Sequence, residues 1–81
     1  MQIPLIQGQF DKNDALSLIS ELIQTKIKFH ESRIEHASHE EDVKYRESKI
    51  IFLQNQLRNF RQEFKEMGAT IKLSAEIFVE A

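Results

Sequence analysis

Apolar residues recur along this chain with two different periods, and the change of period outlines a fold. From residue 43 to residue 67 the apolar positions are Val43, Ile50, Leu53, Leu57, Phe60, Phe64 and Met67. After the first step of seven they alternate at three and four, the heptad spacing of a helix with one side laid along another helix. Arg46 holds the one slot in the series where an apolar residue is due.

Upstream, residues 12–37 carry two stripes at helical spacing. One comprises Leu16, Ile19, Ile23, Ile27 and Ile34, and the other Ala15, Leu18, Leu22 and Phe29. A helix with a single partner needs one stripe, so the second implies a further packing partner. Asp11 is the natural N-cap of this helix, with Asp14 in its first turn and Phe10 and Ala15 at hydrophobic-staple positions. Ser38, with Glu41 three residues on, has the form of a capping box, and the acids Glu40, Glu41 and Asp42 suit the positive end of a new helix. A tight turn is therefore expected near Ala37–Ser38, with helix 2 starting at His39 or Glu40 and running over 39–67. Gly68 is placed to end it in a left-handed conformation.

The two stripes match in an antiparallel register. A turn near residue 38 sets Ile34 against Val43, Ile27 against Ile50, Ile23 against Leu53, Ile19 against Leu57 and Leu16 against Phe60. The same register brings His30 opposite Arg46 and Glu47, with Glu47 the expected hydrogen-bond partner of the histidine. A rival arrangement pairs helix 2 with a second copy of itself about Asn55. The hairpin is preferred because it also accounts for Ser38, His30 and the helix 1 stripe.

The ends of the chain follow a period of two. Residues 70–80 alternate, with Ile71, Leu73, Ala75, Ile77 and Val79 on one side and Lys72, Ser74, Glu76 and Glu80 on the other, as in a half-buried strand. Residues 1–10 read as a second extended segment, in which Pro4 suits an edge strand and Gly8 marks a bulge or bend. The fold expected is one domain, residues 1–81, mainly α (α+β). Its order is β-α-α-β, an antiparallel two-helix hairpin flanked by N- and C-terminal strands and completed by dimerisation.

Composition narrows what such a fold does. The chain has 81 residues, a net charge of −2 and no cysteine, so neither disulfides nor thiolate metal sites staple it. Chains this small are marginal without help, which again points to oligomerisation. Net negative charge argues against a nucleic-acid grip made by bulk charge. No apolar run approaches the ~20 residues of a membrane span and no signal peptide is evident, so a cytoplasmic protein is expected, without membrane partners.

Chemistry is sparse. Nucleophile motifs, phosphate-binding glycine loops and cofactor fingerprints are absent, and no cofactor is expected. His30, His36 and His39, with Glu35 and Glu40, are the one candidate metal cluster, but the turn separates the last two histidines and the spacing fits no strong signature. The bland reading, a solvated loop with His30 in a polar layer, is preferred. Basic residues Lys26, Lys28, Arg33, Lys44, Lys49, Arg58, Arg61 and Lys65 are interleaved with polar and acidic ones. A nucleic-acid role would rest on Arg58, Arg61 and Lys65, with Tyr45 and Phe52 stacking on bases. The surplus apolar residues Leu18, Leu22, Phe29, Tyr45, Ile51, Phe52 and Ile77 are better read as an interface with a second copy or another protein. The function expected is a non-enzymatic homodimeric interaction or structural module. The alternatives are a metal- or ligand-binding protein built on the histidines and a nucleic-acid accessory protein.

Overall fold

A computed structural model describes residues 1–81. Strand β1 (Gln2–Asp11) leads into helix α1 (Lys12–Glu35), a short turn reverses the chain into helix α2 (Glu40–Lys65), and strand β2 (Thr70–Phe78) returns antiparallel to β1. This is the expected β-α-α-β hairpin.

The junction between β1 and α1 has no loop. Asp11 ends the strand in an extended conformation and caps the helix, its side chain accepting a 2.9 Å bond from the Asp14 N–H. Phe10 and Ala15 both join the apolar cluster beneath, as the staple requires.

The other helix starts at Glu40, as expected, but its cap differs. The N-cap of α2 is His39, not Ser38, and its side chain makes no capping bond. Only its carbonyl serves the new helix, accepting from Asp42 and Val43. Glu40, Glu41 and Asp42 still fill the first turn, where their charges offset the helix dipole. Helix α2 also stops early, at Lys65, so Met67 lies beyond it, exposed and outside the seam. Gly68 does not take a left-handed conformation. In its place the Lys12 ammonium donates to the carbonyls of Lys65 (3.4 Å) and Met67 (3.0 Å). A cation at a helix C-terminus satisfies the carbonyls that a glycine cap would otherwise serve.

Between the helices the seam closes within one chain. Leu16, Ile19, Ile23, Ile27, His30 and Ile34 on α1 and Val43, Arg46, Ile50, Leu53, Leu57, Phe60 and Phe64 on α2 are all buried or half-buried. The rival self-pairing of α2 is therefore not needed to cover its seam. The innermost cluster is Ala15, Phe64 and Ile71, ringed by Phe10, Leu16, Ile19, Phe60 and Leu73. It lies where the helix ends meet the root of the strand pair. Phe60 and Phe64 touch edge to face, 4.3 Å between centroids.

The strands pair from Gln2 with Phe78 to Asp11 with Thr70. The bulge falls at Leu5, between Pro4 and Ile6, and not at Gly8. Gly8 stays in the ladder opposite Leu73 with φ of 148°, a backbone setting that side-chain-bearing residues rarely adopt.

The result is thin. Its principal extents are 46 × 32 × 13 Å and its radius of gyration is 15.3 Å, against ~12 Å for a compact chain of this length. Six residues are buried, which leaves both broad sides of the hairpin and the far end of the ribbon open.

Candidate functional site

The polar break in the seam is a bonded pair. Arg46 Nη1 lies 2.9 Å from His30 Nδ1, and His30 is one of the six buried residues. Arginine can only donate, so Nδ1 is the acceptor and the imidazole is neutral, with its proton on Nε2. The expected partner Glu47 is exposed and makes no such bond. The reason is angular: Arg46 stands three residues after Val43, on the seam, whereas Glu47 is turned a further ~100° around the helix. Burial holds the His30 pKa below its ordinary value, and the charges of Lys26, Arg46 and Lys49 push it the same way.

Around this pair the two helices build a cationic and aromatic belt. Lys26 Nζ is 4.9 Å, Arg33 Cζ 5.2 Å and Arg46 Cζ 5.5 Å from the Phe29 ring centroid. Arg46 Cζ also lies 5.8 Å, and Lys49 Nζ 5.4 Å, from the Tyr45 ring. The spacing 26–29–33 on α1 and 45–49 on α2 makes each set neighbours on its own helix. Arg46, reached from both rings, joins them across the hairpin. The rings remain 42% and 55% exposed. The one ion pair in the molecule is elsewhere, Lys44 with Glu40 at 3.6 Å. Four cations thus share one surface with no carboxylate within pairing distance.

This surface is distinct from the Arg58, Arg61 and Lys65 set that the sequence offers to a polyanion. Arg58, Arg61 and Lys65 lie further along α2, lining a shallow groove with Gln54, Leu57 and Gln62. Arg58 donates to Asn55, and none of the three stacks on Tyr45 or Phe52. Lys26, Arg33 and Lys49 were visible as basic residues, and their helical spacing from Phe29 and Tyr45 was the usable signal. Arg46 was hidden by its reading as a seam defect.

The histidines are dispersed in role. His30 is spent on Arg46, His36 is the exposed C-cap of α1, and His39 is the exposed N-cap of α2. No three histidine or carboxylate side chains converge into a metal-binding group. Of the apolar residues assigned to an interface, Leu18 is half-buried. It lines a shallow groove with Leu22, Glu21 and Thr25 of α1 and Leu5 and Ile6 of β1. Leu22, Phe29, Tyr45, Ile51, Phe52 and Ile77 are exposed. Leu22 with Phe29 on α1 and Tyr45 with Phe52 on α2 are each seven residues apart and so share a side of their helix, and Arg46 links Phe29 to Tyr45. Ile51 is turned ~100° from Phe52, and Ile77 belongs to β2.

Comparison of the chain with protein-family models, with curated proteins and with solved structures finds no match.

Proposed function

We propose that the chain is a small, non-enzymatic, homodimeric helical-hairpin protein that acts as an interaction module. The observation that carries this is its exposed area. The chain presents 6555 Å², whereas a folded monomer of its 9.5 kDa mass is expected to present ~5,000 Å². The surplus of ~1,500 Å² matches what one subunit loses in an obligate homodimer, where the two together bury more than ~2,000 Å². Sedimentation equilibrium or light scattering at micromolar concentration checks this: twice the chain mass is expected, and a 9.5 kDa species would refute it.

The unpaired cations favour a second, compatible role, contact with a carboxylate-rich stretch of another protein. A guanidinium stacked on a ring keeps its N–H edge free for bidentate contact with a carboxylate. Because cations already cover the Phe29 ring, stacking on nucleobases is less well served than carboxylate pairing. Fluorescence anisotropy at low salt, with a labelled glutamate-rich peptide and a single-stranded oligonucleotide of equal charge, separates the two. Binding of the peptide, lost in the triple variant Lys26→Glu, Arg33→Glu, Lys49→Glu, is the expected result. Binding of the oligonucleotide alone would turn the reading to nucleic acid.

A further inference from the structure

We infer that two copies of the chain join through the outer edges of their β2 strands, antiparallel about a two-fold axis at Ser74, making one four-stranded sheet. This rests on the dimer reading and names the surface that forms it.

The two edges of the ribbon differ. On β1, Pro4 removes a donor, Leu5 bulges and Gly8 holds a φ of 148°. Prolines and bulges are the devices that blunt an exposed strand edge against pairing. Strand β2 has no proline, glycine or bulge of its own over Thr70–Phe78. Its phase follows from its end. The Val79 N–H donates to the Met1 carbonyl (2.8 Å) and the Met1 nitrogen donates to the Val79 carbonyl (3.1 Å), so these two form a hydrogen-bonded pair. Alternation then points the odd-numbered residues of β2 at β1 and the backbone groups of Thr70, Lys72, Ser74, Glu76 and Phe78 outward. Pro4, opposite Glu76, accordingly lacks its N–H on the outer side of β1.

The outward set is self-complementary. Ser74 is the midpoint of Thr70–Phe78. Antiparallel pairing about it sets Ser74 against Ser74, Thr70 against Phe78 and Lys72 against Glu76 of the second copy. All the outward backbone groups of the strand then have partners. Within one chain Lys72 faces Gln9 and Glu76 faces Pro4, so neither charge has an opposite across the ribbon. Sliding the second copy by two residues in either direction parts Lys72 from Glu76. Sliding it by four opposes Lys72 to Lys72 in one direction and Glu76 to Glu76 in the other, where Lys72 reaches only Glu80 beyond the end of β2, and either slide leaves outward backbone groups of the strand unpaired. An odd slide loses the hydrogen-bond phase and turns the side chains to the wrong faces. On the other face the same register puts Ile77, 44% exposed, beside Ile71 of the second copy, which is 9% exposed over its own core.

The chain has no cysteine, so a single introduced thiol reports this contact without ambiguity. Ser74→Cys should crosslink to a dimer on mild oxidation or with a short bis-thiol reagent, and Gln9→Cys, on the outer side of β1, should not. Lys72→Glu and Glu76→Lys should each weaken dimerisation by about tenfold, since each sets two pairs of like charges face to face. The double variant Lys72→Glu, Glu76→Lys should return to the wild-type constant. A wild-type monomer would overturn the dimer reading and this one together. A wild-type dimer that does not crosslink through Ser74→Cys, and whose constant ignores both charge reversals, would overturn the strand pairing alone.

Discussion

Along the helical hairpin each seam position from Leu16 to Ile34 and from Val43 to Phe64 is buried or half-buried. Along the apolar face of β2, exposure climbs from 9% at Ile71 to 44% at Ile77. Both regions carry a clean apolar pattern, with helical spacing in one and alternation in the other. They differ in what lies opposite. Each helix finds the other at matching length, so the seam is covered from end to end. The ribbon is buried against the helices at its root, where Ala15 and Phe64 pack with Ile71. Further out, Leu5 and Ile6 share only a shallow groove with α1, and Ile77 and Phe78 stay exposed. A two-stranded ribbon with an uncovered face is marginal in water, so the seam between the helices is closed within the chain while the outer part of the ribbon is not covered by it.

Six substitutions and a change of pH test this contrast. Phe64→Ala removes the ring that joins both regions. Its cost should be about 3–5 kcal/mol, a large part of the stability of so small a domain. Ile77→Ala should cost under about 1 kcal/mol of the chain's own stability while lowering the concentration dependence of unfolding. Urea titrations at two protein concentrations compare the pair, and equal costs would mean that the ribbon is not the open region.

Within the hairpin, Arg46→Leu should cost about 1–3 kcal/mol, because it strands the buried His30 Nδ1 without a donor. Adding His30→Leu should recover most of that loss, since removing both partners leaves a continuous apolar seam. If the double variant were no better than the single one, the pair would have no coupling.

Acidification should act on the same layer. The folded chain holds His30 neutral, with its pKa below the ordinary 6.5. Its contribution is therefore complete above that value and is lost as pH falls below it, when the unfolded chain takes up a proton that the folded chain resists. The melting temperature should fall further between pH 7.5 and 5 in the wild type than in the His30→Leu, Arg46→Leu variant.

The smallest effects separate the two helix starts. Asp11→Ala should cost about 0.5–1 kcal/mol, because it deletes a formed cap while relieving the repulsion that raises the Asp14 pKa. Ser38→Ala should change stability by less than about 0.5 kcal/mol, as expected for a surface position that holds no special contact.

Much of the architecture is legible in the spacing of the residues. The Val43–Phe64 seam, the facing stripe Leu16–Ile34 and the meeting of Arg46 with His30 all followed from spacing, because helical period and turn position together leave one antiparallel register. Single-residue choices at the ends were less legible. Ser38 had the chemistry of a cap and lost to His39, and Gly68 had the freedom for a left-handed end that Lys12 made unnecessary. Such outcomes turn on a few tenths of a kcal/mol and on a side chain arriving from more than fifty residues away, as Lys12 does at Lys65. The basic belt was similarly scattered in sequence, since Lys26 and Arg33 join Arg46 and Lys49 only once the hairpin is closed.

Sequence alone determined the elements, their order, the heptad register and the sidedness of β2, because each depends on local period and on the number of residues between apolar positions. Tertiary structure decided what lies over each face. It gathered four cations without an acid, ended α2 on a lysine from α1 and stopped the core at the root of the ribbon. Those outcomes depend on distances and angles between elements that local period does not encode, and they leave the outer edge of β2 as the unblunted backbone edge of the sheet.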